Sequence, residues 1–311
     1  MHRVLMPWIV GLVVMVVLPC AASACTLNID TVGSIAWTGG GANGYDPFDT
    51  TAYFQPINLR VTSTDGDCAF YATVTPTGST GGDGSLSGPG GSLRFAIYRD
   101  ATGSQLLQSA PIAVQAEVLS GAAKQAGPAT AFQIAYSLPI QQIVAPGPYS
   151  GQITVAVYEG AVGSGILRAQ HQVPITILVA SIAEISFAAG SFNKLKSDCF
   201  LAFNILHQGD RKEVEMWVRS NSGYRIAIHS DGGGAMTPLH SAPAEAMVPY
   251  SLKVDGVPVA LAKTDVQVII HPGPTPWGGN RHLFTFEIGT LKDACAGDYQ
   301  DILPISVTSL N

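Results

Sequence analysis

Few side chains in this sequence are spaced for chemistry. Gly39–Gly44 spell GxGxxG, the pattern of a nucleotide-binding turn, but no amphipathic helix and no βαβ unit follow, so the stretch reads as a loop. His171, His207, His229, His240, His271 and His282 fall in no HExxH or comparable ligand spacing, and a solvated turn accounts for the neighbours His229 and Asp231. Glu213 and Glu215 share one face of a strand, the arrangement of a carboxylate pair for acid–base work. Arg211 and Lys212 beside them favour a solvated face. No GxSxG occurs. The residues point away from catalysis, and neither a cofactor nor a metal is expected.

The cysteines carry more. The chain opens as an export signal: His2 and Arg3, an apolar run over Trp8–Leu18, and the small residues Ala22-Ser23-Ala24. The run is too short to span a membrane comfortably. Cleavage after Ala24 removes Cys20 and leaves Cys25, Cys68, Cys199 and Cys295, an even set suited to disulfides in an oxidising compartment. Two fall in each half, so Cys25–Cys68 with Cys199–Cys295 is the economical pairing among three. A Cys at the new N-terminus also admits lipidation, for which Ala22 is a poor preceding residue. The chain carries 16 Lys and Arg against 22 Asp and Glu; loss of Arg3 with the leader takes the net charge from −6 to −7. With no basic stripe, a nucleic-acid partner is not expected.

The elements that position these residues are strands. Strand-like segments separated by turns recur near 26–36, 54–63, 69–75, 93–99, 111–118, 131–138, 149–158 and 171–181. They continue near 182–188, 198–206, 213–219, 224–229, 249–254, 257–261, 265–271, 282–288 and 299–308. The Gly-rich stretch 77–92 and the segment Ser120–Pro128 read as loops. Asp255-Gly256 is a tight hairpin turn. The length suits two domains, divided at 181/182 within a continuous apolar run that implies a short, stiff connection.

One motif occurs twice. Residues 147–157 read GPYSGQITVAV and residues 297–307 read GDYQDILPISV. Tyr149, Ile153, Val155 and Val157 match Tyr299, Leu303, Ile305 and Val307, all on one face of a strand. A further strong strand, QVPITILVASI (172–182), follows the first copy; only Thr308–Asn311 follow the second. The expectation is an all-β chain of two sandwiches in tandem, the C-terminal one lacking its last strand. Pro304 favours an edge position or a bulge for the final strand. The acceptor groove is expected along Leu303, Ile305 and Val307, with Ile182, Ile185 and Phe187 opposite.

These residues also carry a resemblance. The leading Cys25-Thr26-Leu27, Cys68, LRFAIYRDATGSQLL (93–107) and YSLPIQQIVAPGPYSGQITVAV (136–157) are similar to the spore coat protein U domain, found in pilins of archaic (Csu-type) chaperone–usher pili. The second half resembles it more loosely, through VRSNSGYRIAIHSDGGGAM (218–236), VPYSL (248–252) and AGDYQDILPISV (296–307). The resemblance implies an incomplete immunoglobulin-like fold, held by a periplasmic pilus chaperone, passed through an outer-membrane usher and completed by a donor strand from the adjacent pilin subunit. In that family the donor precedes the first conserved Cys, and cleavage after Ala24 leaves nothing before Cys25. A subunit that accepts without donating belongs at the pilus tip, which implies a self-complete adhesin domain at 25–181, an incomplete pilin-like domain at 182–311, and a role in surface attachment and biofilm formation. A shaft or adaptor pilin, a spore-coat-type structural protein and a secreted sugar-binding sandwich are the alternatives.

The turn before the last strand of the first domain lies at its far end. Ala161, Val162, Ile166 and Leu167 in that turn, and Val118, Leu119, Ala122 and Ala123 in a second loop, are the expected contacts with an abiotic or host surface. Trp37, Tyr45 and Phe48 form a third candidate loop.

Overall fold

Alternation of buried with more open residues is clear along 57–63, 173–179 and 215–220, as a sheet with one face on a core requires. The structure is a computed structural model, and it describes residues 25–310 apart from 32–33, 40–43, 78, 80–81, 104–106, 108–113, 193–197, 241–245 and 293. The expected leader, most of the GxGxxG stretch and part of the expected 111–118 strand lie outside the described residues. No helix among the described residues is long and apolar enough to cross a membrane.

The first unit comprises β1 (Leu27–Thr31), β2 (Ile35–Ala36), β3 (Phe54–Ser63), β4 (Cys68–Pro76), β5 (Asp83–Gly88), β6 (Gly91–Tyr98), β7 (Leu119–Ala123), β8 (Thr130–Ser137), β9 (Gly147–Glu159) and β10 (Ile166–Val179). One layer runs β1-β3-β8-β6-β5 and the other β7-β4-β9-β10-β2; a single pairing, Ser87 with Ser150, joins them. In chain order, β1, β3, β8 and β6 are the A, B, E and D strands of an immunoglobulin sandwich, and β4, β9 and β10 are C, F and G. Along β10, Val173, Ile175, Ile177 and Val179 enter the core while Pro174, Thr176 and Leu178 face outward.

The second unit comprises β11 (Ala183–Ser186), β12 (Arg211–Ser220), β13 (Gly223–Ile228), β14 (Ala235–Pro238), β15 (Val248–Val254), β16 (Val257–Val259), β17 (Val266–His271), β18 (Asn280–Ile288), β19 (Tyr299–Gln300) and β20 (Ile305–Leu310). Its first layer is β11-β12-β18-β15, again A-B-E-D, and its second is β17-β13-β20. Here β13 and β20 hold the C and F positions, and β17 flanks C as β7 does in the first unit. Asp255 (φ 50°) and Gly256 (φ 80°) both adopt the positive φ that a type I′ turn between β15 and β16 needs.

Several sequence expectations are corrected. The 77–92 stretch contains β5, which forms a hairpin with β6: Leu86 is buried and anchors it, although its neighbours are Ser and Gly. Within Ser120–Pro128, the first residues belong to β7, paired to β4. Gln115–Glu117 form a 3-10 turn where a strand was expected. Residues 198–206 join no sheet, and β14 was not anticipated. Cys25 and Cys68 are bonded, tying the start of β1 to the start of β4. Cys199 and Cys295 are free and exposed; Cys199 stands on a stretch outside every sheet, so no ladder brings it up to Cys295 in the β18–β19 connection.

Candidate functional site: an unpaired strand edge

The repeated motif takes up the same corner and the same strand register twice. Tyr149 donates its hydroxyl to Ala145 O at 3.0 Å and Tyr299 donates to Cys295 O at 2.8 Å, each four residues upstream at the corner leading into strand F. Downstream, the F strands pair with their C strands in the same register: Val157 faces Ala72 and Val155 faces Val74, while Val307 faces Ile226 and Ile305 faces Ile228.

The outer neighbour differs. In the first unit β10 pairs antiparallel along the whole of β9, and Tyr149, Ile153 and Val157 are fully buried. In the second, β20 pairs with β13, and no strand among the described residues takes its other edge. Leu303, Ile305 and Val307 are left half-buried, packed against a core to which Ile185 and Phe187 of β11 and its end also contribute from partly open positions. The structure thus brings five of the six expected groove residues to one cluster. Ile182 is the exception: it lies in the connection, where its N–H meets Asn221 Oδ1 and its carbonyl accepts Ser220 Oγ–H.

The backbone of the edge is also defined. His229 and Asp231 donate their N–H groups to Pro304 O and Ile302 O, so the even-numbered carbonyls face β13. Strand alternation then turns the N–H and C=O groups of Leu303, Ile305, Val307 and Ser309 outward. The donor that Pro304 lacks belongs to the inner side, and the outer edge keeps all of its own. Below β20, where β9 is continuous, the equivalent strand is interrupted. There Asp301 turns inward and accepts from Ser230 Oγ at 2.5 Å, Tyr250 O–H at 2.5 Å and Gly232 N–H at 2.9 Å. Burial and this bonded carboxylate hold the Tyr250 phenol well above the usual tyrosine range.

The expected surface loops separate into three outcomes. Ile166 and Leu167 are 58% and 47% exposed at the start of β10, beside the Glu159–Arg168 ion pair (2.6 Å), and Ala161 is exposed in the turn between. Val162 is half-buried on a small cluster of Tyr71, Val118 and Tyr158. Val118, Leu119 and Ala123 are buried and offer no contact surface; Ala122, of opposite parity in β7, is exposed. Trp37, Tyr45 and Phe48 lie at the opposite end of the unit: the Trp37 N–H meets Thr176 O, Tyr45 bridges to Val179 at the end of β10, and Phe48 is buried. Sequence reading could not tell which end of the sandwich that loop would occupy. No cluster of metal-ligating side chains occurs among the described residues. The Glu213 and Glu215 pair sits on β12, where Glu215 binds Arg281 at 3.1 Å.

No family model matches the chain, and no curated protein matches it. Among solved structures it is similar to the CsuC–CsuE chaperone–tip adhesion subunit pre-assembly complex from archaic chaperone–usher Csu pili of Acinetobacter baumannii, at 14% identity over 90% of this chain and 99% of that one, with a TM-score of 0.48. It is also similar to the CupB6 tip adhesin from Pseudomonas aeruginosa, at 11% identity over 90% of this chain and 94% of that one, with a TM-score of 0.36. A third is CfaE, the adhesive subunit of the CFA/I fimbria of enterotoxigenic Escherichia coli, at 13% identity over 91% and 81% with a TM-score of 0.33.

Proposed function

We propose that this protein is the tip adhesin of a chaperone–usher pilus. Its second unit, 182–311, accepts a strand from the adjacent pilin subunit along β20, and its first, 25–181, is complete and meets the surface. One observation carries this reading: two copies of one strand lie in matching registers, one sealed by β10, the other with a bare edge over a half-buried core. A bare edge and an apolar groove are what strand addition requires, the first giving main-chain bonds and the second pockets for alternate side chains. By the pattern of β10, the added strand runs antiparallel to β20. Each apolar side chain it inserts is worth about 1.5–3 kcal/mol.

Left bare, such an edge pairs with whatever strand it meets. That hazard is the reason to assign a periplasmic chaperone to this surface during export, and an outer-membrane usher to hand the subunit on. The likeness of 25–158 to the spore coat protein U domain supports the same assignment. Ala161, Val162, Ile166 and Leu167, at the end of the first unit farthest from the open edge, are the residues we assign to contact with an abiotic or host surface, and through it to biofilm formation.

The test compares the mature chain, 25–311, with the same chain carrying the adjacent pilin's donor segment fused after Asn311. The fusion is expected to raise unfolding of the second unit by more than about 10 °C, since several kcal/mol are gained in a small domain. A mature chain already as stable as the fusion, and monomeric without a chaperone, would overturn the reading and favour a secreted binding protein.

A further inference from the structure

The connection between the units, residues 180–182, is held by a buried corner of the second unit. Asn221 is 1% exposed. Its amide donates to Ala180 O at 2.8 Å and to Val144 O of the first unit at 3.1 Å, and its Oδ1 accepts the Ile182 N–H at 2.9 Å. Both amide hydrogens and one lone pair of the carbonyl oxygen are thereby engaged on or beside the connection. Ser220 Oγ donates to Ile182 O at 2.8 Å, and Ser181 Oγ lies 2.7 Å from Ser309 Oγ at the end of β20.

Two residues before Asn221, Arg219 points into a cage of rings. Its guanidinium carbon lies 4.7 Å from the ring centre of Phe48, 4.4 Å from Phe192 and 5.5 Å from Trp277. Phe48 comes from the first unit and the other two from the second; Phe48 and Trp277 touch directly, with ring centres 5.7 Å apart. Arg219 also binds Glu184 of β11 through Nε at 3.0 Å, and the two side chains are only 11% and 14% exposed. A planar guanidinium both stacks on rings and forks to a carboxylate, which an ammonium cannot do. With water excluded, both interactions are stronger than on an open surface.

We propose that this corner locks the two units into one rigid body, with Arg219 as the residue that couples them. Phe48 is the first unit's share of the lock, which explains a buried aromatic at that position. Glu184 carries the lock into β11, so the wall of the open groove and the first unit are held through the same side chain.

Amide relaxation of the isotopically labelled mature chain tests this. The native chain is expected to give one rotational correlation time for both units. Phe48→Ala, which leaves the Arg219–Glu184 pair intact, is expected to split it into two shorter times approaching those of bodies half the size. Arg219→Lys keeps the charge and loses the flat stacking, and is expected to do the same. Two distinct times in the native chain would overturn the proposal whether or not the variants fold, and so would a single time retained by both folded variants.

Discussion

Tyr149 and Tyr299 make the same bond to the residue four places upstream, yet the first is fully buried and the second half-buried. The neighbouring strand, and not the residue, accounts for the difference. These tyrosines were legible in the sequence because a large aromatic at fixed spacing from three alternating apolar residues is an uncommon pattern. Phe48 was not legible in the same way: its type suggested a contact residue, but only the fold reveals that it meets Arg219 and Trp277. Ile166 and Leu167 pose the opposite problem, since single exposed apolar residues are ordinary on any surface. Their position is what matters, adjacent to each other and at the end of β10 farthest from residue 180. Replacing both with Asp is expected to leave folding within about 0.5 kcal/mol of the native chain, as for other exposed sites. Attachment to plastic is expected to fall severalfold in a washed-adhesion assay. Attachment equal to the native protein's would remove this turn from the contact surface.

At the scale of elements, strands with large apolar residues on one parity were readable, and β3, β9, β12 and β18 lie close to where the pattern put them. The elements that escaped have small or polar inward faces. β5 reads Asp-Gly-Ser-Leu-Ser-Gly, with Leu86 alone to signal a buried side, and β7 relies on Leu119 and Ala123. Both are held by pairing to neighbours, which a single sequence does not display. The reverse error, a strand expected at 198–206, came from an apolar run that the fold leaves outside its sheets, with Phe200 and Ile205 exposed. β20 allows a sharper test than stability alone. When a donor strand is bound, amide exchange is expected to slow markedly at Ile305, Val307 and Ser309, whose N–H groups face outward. Ser306 and Thr308, already facing β13, are expected to change little. A uniform slowing along 305–309 would mean that something covers the edge without pairing to it.

At the scale of the whole molecule, the two units share a topology but not a means of stability. The first has its G strand and a disulfide closing the chain between Cys25 and Cys68, a separation of 43 residues. Among the described residues the second has neither, and its apolar core is partly open along β11 and β20. A body with less apolar area removed from water and no cross-link should unfold first, even if the corner at Arg219 fixes the orientation of both while they are folded. Heating the mature chain is therefore expected to give two transitions, the lower from 182–311. Reducing agent is expected to weaken the upper transition by about 2–5 kcal/mol, the usual cost of losing a native disulfide. It should leave the lower one in place, because Cys199 and Cys295 are free. A lower transition that also falls on reduction would show that these two cysteines bond in solution and would restore the pairing expected from their spacing. A single transition that no reductant divides would mean that the second unit borrows its stability from the first, and the open edge would then be a feature of a complete protein and not of one awaiting a partner.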